Sequence, residues 1–177
     1  LGLLGYGTID STNAGILPIV TFLVTTLAIM SAVTCTYGNL AAYGQKNIKR
    51  LLGYSTIAHA GYMIMPMAAA VAVLLRDPAL ARWIVATLLF YLVIYAFMNF
   101  AAFAAIAFLR NRFQSETIDD FGGLVRTSPG IIVCVSLALF SLVGLPPLAG
   151  FAGKFAIFSA LVVSQLWALF VLSLIHI

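Results

Sequence analysis

Long apolar runs, separated by short stretches of charge, extend along the whole chain. No charged residue lies between Asp10 and Lys46, and a bilayer is crossed by about 20 apolar residues in a helix. A first helix is expected near 14–43. After a basic loop, a second is expected near 54–75, with Pro66 inside it as a kink. A third falls near 82–109. A fourth follows Pro129 and is broken: an apolar half near 129–144 meets GLPPLAG, and a second half resumes near 151–163. A fifth starts near 166 and is truncated by the end of the chain. The expected fold is an all-α polytopic membrane protein of about five spans, one of them discontinuous, forming a single domain over 1–177. Closed helices of this kind satisfy their own backbone hydrogen bonds in lipid.

Composition agrees with this pattern. The chain is 63% hydrophobic and 8% charged, whereas soluble domains carry roughly a quarter of charged residues. Lipid is the main solvent. No Gly-rich phosphate loop, nucleophile elbow or metal-ligand cluster appears in the sequence, so nucleotide binding, hydrolysis and a metal site are not expected of this stretch, and neither is nucleic-acid binding. Cys35 and Cys134 lie in apolar runs with no CxxC partner and read as small packing residues. The chain opens without methionine, a charged n-region or a cleavage site, and stops inside an apolar run. It reads as an internal piece of a longer protein, with no signal peptide.

Charge fixes a direction. If the helices alternate, the loops after the first and third helices share one side and hold Lys46, Lys49, Arg50, Arg110, Arg112 and Arg126. The other side holds Arg76 and Arg82. Lys and Arg in short loops favour the cytoplasmic side. Lys46, Lys49 and Arg50 thus act as topology determinants, with lipid headgroups as added partners.

The ninth basic residue, Lys154, belongs to neither side. It is the single Lys or Arg after Arg126. Just before it, Pro146 and Pro147 remove backbone donors, and Gly144 can cap the half-helix that ends there. Gly150 tolerates a close backbone approach. Some 15 residues of helix precede the break, roughly 22 Å, so the break lies inside the hydrocarbon layer. Freed backbone groups there must line protein or a wet cavity. A lysine at that depth is costly unless it faces the interior. Burial and a nearby anion pull a lysine's proton affinity in opposite directions, so Lys154 is a candidate proton-transfer group. The competing reading is a side chain snorkelling to the interface. The adjacent break favours the first, because broken helices beside ionisable groups build transporter sites.

Other polar residues lie within spans. Ser55, His59 and Tyr62 share a face of the second helix, with His59 about one turn deep. Tyr91, Tyr95 and Asn99 form a stripe on the third. His59 titrates near neutrality and suits a relay; the stripe suits ordered water. Interhelical hydrogen bonding accounts for either set equally well or better. Gly38 and Asn39 read as close packing plus a helix-end signal. Thr117 and Asp120 form a weak capping box in an acidic loop that is either a solvated turn or a docking point for a neighbouring subunit. No carboxylate lies in any expected span, so a partner for Lys154 is sought outside this stretch.

Residues 38–65, GNLAAYGQKNIKRLLGYSTIAHAGYMIM, resemble the antiporter-like membrane subunits of respiratory NADH–quinone oxidoreductase, complex I. Residues 141–158, SLVGLPPLAGFAGKFAIF, are similar to that family's later motif, in order and at the expected distance. YLVIYAFMNFAAF, 91–103, lacks the His and Lys pattern of the two larger subunit types. It resembles the third, subunit N, or subunit 2 in mitochondria. The resemblance implies a proton-translocating, non-redox membrane subunit coupling NADH oxidation by quinone to proton pumping. This stretch would be the second of two inverted five-helix repeats, and Lys154 the lysine at the discontinuous helix. NAD, flavin, iron–sulfur clusters and quinone would sit elsewhere in the complex, with no cofactor on this chain. Partners would be other complex I membrane subunits, lipid, water and protons. The bacterial cytoplasmic membrane is the expected location, an organellar inner membrane the alternative. Multisubunit cation/proton antiporters and membrane-bound hydrogenases share the fold and are the second functional reading.

Overall fold

The computed structural model describes residues 15–176. The ends of the first and last expected helices, Ala14 and Ile177, lie outside the described residues. The elements are α1 (Leu17–Tyr43), α2 (Ile48–Val73), α3 (Pro78–Phe113), a 3₁₀ turn (Ile118–Phe121), the short α4 (Leu124–Thr127), α5 (Pro129–Val143), α6 (Ala149–Val163) and α7 (Trp167–Ile175). Among the described residues, α1, α2 and α3 are each long and apolar enough to cross a membrane. The half-helices α5 and α6 run end on along α3.

Two helices are longer than the charge pattern suggests. α2 starts at Ile48 rather than near 54 because Asn47 caps it, its side-chain oxygen accepting from Arg50 N at 3.0 Å. Lys49 and Arg50 therefore occupy its first turn. α3 starts at Pro78, where Asp77 accepts from the amides of Ala79 and Leu80 at 3.0 and 2.9 Å. Arg110 and Arg112 lie in its last turn, favourably placed at the negative end of the helix dipole. Charge marks where lipid ends, and these helices continue past that level. His59 accordingly lies three turns into α2, about 16 Å along the axis, rather than one. α2 is one uninterrupted helix through the buried Pro66.

Small residues bring α1 and α2 into contact. A Cβ on Gly38 would fall 2.5 Å from Ala58 N, and one on Gly61 would fall 2.6 Å from Cys35 N. Close backbone approach of this kind drives helix pairing in lipid, where apolar burial gives little. Asn39 lies within α1, which continues to Tyr43, so it is not a helix end. Cys35 is buried in this seam. Cys134 is exposed on α5 and does not pack in the core.

The core is stacked in three levels along α3. Leu109, Leu124 and Val135 fill the level nearest the α3 C-terminus. Met98, Ala102 and Ile106 meet Leu52, Ala138 and Leu142 in the middle. Ile84 and Tyr91 join Tyr62, Met65, Ile157 and Leu161 in the third. Large apolar side chains such as Phe22, Leu40, Phe97 and Phe100 remain exposed, as fits a protein whose surroundings are lipid or further helices.

The two basic loops are tied together. Ile48 N donates to Glu116 O at 3.0 Å and Ile118 N to Lys46 O at 2.9 Å, an antiparallel bridge pairing Asn47 with Thr117. Glu116 accepts from Asn47 Nδ2 at 3.1 Å and pairs with Arg110 at 3.0 Å and Lys49 at 4.0 Å. The expected capping box does not form. Thr117 precedes the 3₁₀ turn without a side-chain cap bond. Ser115 instead accepts from Thr117 N and donates to Asp120, so the Asp120 carboxylate is held by Ser115.

Candidate functional site

The site forms where α5 stops. Its last turn is closed by Gly144 at φ 91°, a left-handed conformation that a Cβ would strain. Gly144 N donates to Phe140 and Ser141 carbonyls, and Leu145 N reaches Phe140 O at 3.1 Å. This is a Schellman-type ending. It leaves the Val143 carbonyl without a helical donor. Pro146 and Pro147, joined by a cis peptide bond, carry the chain to Ala149, where α6 begins.

Lys154 is on the second turn of α6 and reaches back across the break. Its Nζ donates to Val143 O at 2.9 Å. It also lies 5.2 Å from the centre of the Tyr62 ring on α2. The residue is 5% exposed. Among the described residues its partner is the carbonyl at the negative end of a half-helix. Sequence reasoning missed Val143 because a backbone carbonyl has no residue-type signature; the signal was its position beside the capping glycine.

The start of α6 is fitted against the end of α5. Gly150 N donates to Ser141 Oγ at 3.3 Å, and Ser141 Oγ in turn contacts Met98 Sδ at 2.8 Å. A Cβ on Gly150 would overlap the Ser141 carbonyl. Ser141, a polar residue in the last turn of an apolar helix, was the visible sign of this contact.

His59, Tyr91 and Tyr95 come together across α2 and α3. His59 Nδ1 and Tyr91 Oη are 2.5 Å apart, and the His59 ring centre lies 5.0 Å from that of Tyr95 and 6.1 Å from that of Tyr62. Tyr91 and Tyr95 stack at 6.3 Å. The Tyr95 hydroxyl is buried with no hydrogen-bond partner among the described residues. Asn99, a turn further on, is half-buried and hydrogen-bonds to none of the three. Tyr62 donates to Ser173 O at 3.0 Å.

A cavity of about 300 Å³ opens between α2, α5 and α6, lined among others by Asn39, Ser55, His59, Tyr62, Val143 and Lys154. Water occupies about 30 Å³ per molecule, so the space admits several. Lys46, Lys49 and Arg50 do not line it, although Leu51 and Leu52, next along α2, do. Among the described residues, no group of three or more His, Cys, Asp or Glu forms a metal cage.

The chain is similar to known proteins. The chain is 43% identical over 136 residues to NADH-quinone oxidoreductase subunit N 2 of Solidesulfovibrio magneticus, covering 77% of the chain and 27% of that protein. It is 44% identical over 138 residues to subunit N of Chlorobium chlorochromatii, covering 78% of the chain and 25% of that protein. Among solved structures, a chain of respiratory complex I from Thermus thermophilus with bound aureothin matches with a TM-score of 0.66 and 35% identity, over 86% of this chain and 32% of that one. The chain therefore spans about a quarter to a third of the proteins it matches. The all-helical fold with its broken helix is that of a complex I membrane subunit. Residues 12–177 match the family described as NADH:quinone oxidoreductase/Mrp antiporter, TM, and the chain belongs to that family.

Proposed function

We propose that this chain is the part of a proton-translocating NADH–quinone oxidoreductase membrane subunit that carries one proton-exchange site, with Lys154 as the exchanging group. The observation that carries this reading is the Lys154–Val143 contact at the break, beside a cavity wide enough for water. A protonated amine is stabilised there by the Val143 carbonyl and the α5 dipole. Burial opposes the charge. The two pressures suit a group that gains and loses a proton as its surroundings change. His59 lines the cavity and is hydrogen-bonded to Tyr91, so the pair, with Tyr95 beside it, would relay a proton to Lys154 through water in the cavity.

NADH oxidation and quinone reduction would take place in other subunits, which supply the driving force. Lys46, Lys49 and Arg50 would hold the loop end in the headgroup layer on the positive side. The bacterial cytoplasmic membrane is the proposed location; the relatives above are bacterial.

Lys154→Met tests the reading. In the assembled complex, reconstituted into vesicles, the variant is expected to transfer electrons from NADH to quinone with fewer protons moved per electron. An unchanged ratio would leave Lys154 a structural cap. Copurification of the subunit with flavin and iron–sulfur proteins separates the oxidoreductase from a cation/proton antiporter.

A further inference from the structure

The Lys154 ammonium has three protons to place. One goes to Val143 O at 2.9 Å. The stem is confined: a Cβ added to Gly144 would lie 3.1 Å from Lys154 Cδ. No carboxylate pairs with the lysine among the described residues. On the α2 side the ammonium meets the Tyr62 ring at 5.2 Å from its centre, within the range at which a cation is attracted by the negative face of an aromatic ring. Tyr62 is 2% exposed, so this attraction acts away from bulk water, where it is strongest. Val143 and Tyr62 thus stand on different elements, α5 and α2, and hold one nitrogen between them. The remaining donor is left for the cavity.

We infer that Tyr62 is a positioning residue for Lys154, its ring face holding the charged amine at the helix break and so aiming its free proton at the cavity. This rests on the proposed exchange role of Lys154. The ring acts through the lysine and transfers no proton itself. It is needed for its electron-rich face, not for its hydroxyl or its bulk.

That requirement is testable by changing the ring's charge distribution at constant shape. In the full-length subunit of the assembled complex, residue 62 is replaced by phenylalanine and, by codon suppression, by a ring-fluorinated phenylalanine. Tyr62→Phe keeps the ring, gives up the hydrogen bond to Ser173 O, and is the reference against which the fluorinated ring is read. The fluorinated ring, whose face attracts cations less, is expected to lower the protons moved per electron relative to plain phenylalanine, towards the ratio of Lys154→Met. Tyr62→Leu is expected to fall similarly, and to have no further effect in a Lys154→Met background. If the fluorinated and plain phenylalanine variants pump alike while Lys154→Met does not pump, the positioning role is overturned and the lysine's role stands. If Lys154→Met pumps normally, the reading beneath falls and this assignment with it.

Discussion

Lys154 Nζ lies 2.9 Å from the carbonyl oxygen of Val143, the last residue of α5, so a side chain of one half-helix caps the other. The contact asks two things of the residue: a donor to satisfy a buried carbonyl, and a proton that can leave. Arginine meets the first and not the second, since its guanidinium stays charged at all accessible pH. Lys154→Arg is therefore expected to assemble and to lose proton movement, measured as vesicle acidification at constant NADH oxidation. Lys154→Met meets neither, and leaving Val143 O unsatisfied costs about 1–3 kcal/mol. Its thermal unfolding midpoint in the purified complex should fall below that of the arginine variant. An arginine variant that pumps would show that the cation matters and its release does not.

Gly150 sits where α6 touches α5. A methyl group there overlaps the Ser141 carbonyl, which is backbone and cannot rotate away. Gly150→Ala is expected to pry the half-helices apart, at about 1–3 kcal/mol or more for overpacking a close contact. Gly144→Ala is limited instead by its φ of 91°, a cost of about 1–2 kcal/mol. The yield of assembled complex from membranes should fall in both, further for Gly150→Ala. Wild-type yields from both would mean that the break tolerates a looser fit than the contact distances imply.

Much of this was legible in the order of residues. Prolines and glycines inside an apolar run marked the break because they act on their own backbone. Lys154 stood out because charge in lipid is costly wherever it occurs. What the sequence concealed depends on partners distant in the chain. Val143 presents a carbonyl that every residue has, and its availability follows from where α5 ends. The grouping of His59 with Tyr91 and Tyr95, but not Asn99, follows from how far α2 extends. The charges at Lys49 and Arg50 masked that start, since a helix can begin above the lipid as well as within it.

The His59–Tyr91 hydrogen bond yields a separate test. Tyr91 is fully buried, so Tyr91→Phe removes one oxygen and keeps the ring. His59 then loses its partner, at a cost of about 1–3 kcal/mol if no water replaces it. If the pair passes protons to the cavity, the variant should move fewer protons per electron while retaining NADH oxidation. Equal pumping at reduced thermal stability would assign the pair to packing between α2 and α3.

Glu116 connects the two basic loops, and its behaviour with pH can be worked out in sign. The Asn47 amide first, and then the charges of Arg110, Lys49 and Arg50, hold its carboxyl below the usual carboxylate range. A carboxyl bound more strongly when ionised stabilises the fold at pH values above its unfolded pKa. That contribution is lost as pH falls through the lowered value. The clamp is therefore complete at neutral pH and opens only in acid. Hydrogen exchange at the amides of Ile48 and Ile118, which bridge the loops, should quicken relative to intrinsic rates as the carboxylate is protonated. Glu116→Gln should exchange faster already at neutral pH and lose that dependence, because the amide keeps one hydrogen bond and drops the ion pairs. Because exposed ion pairs are weak and screened, the effect should also shrink in high salt. Exchange that is insensitive to both the substitution and acid would show that the backbone bridge alone holds the loops together.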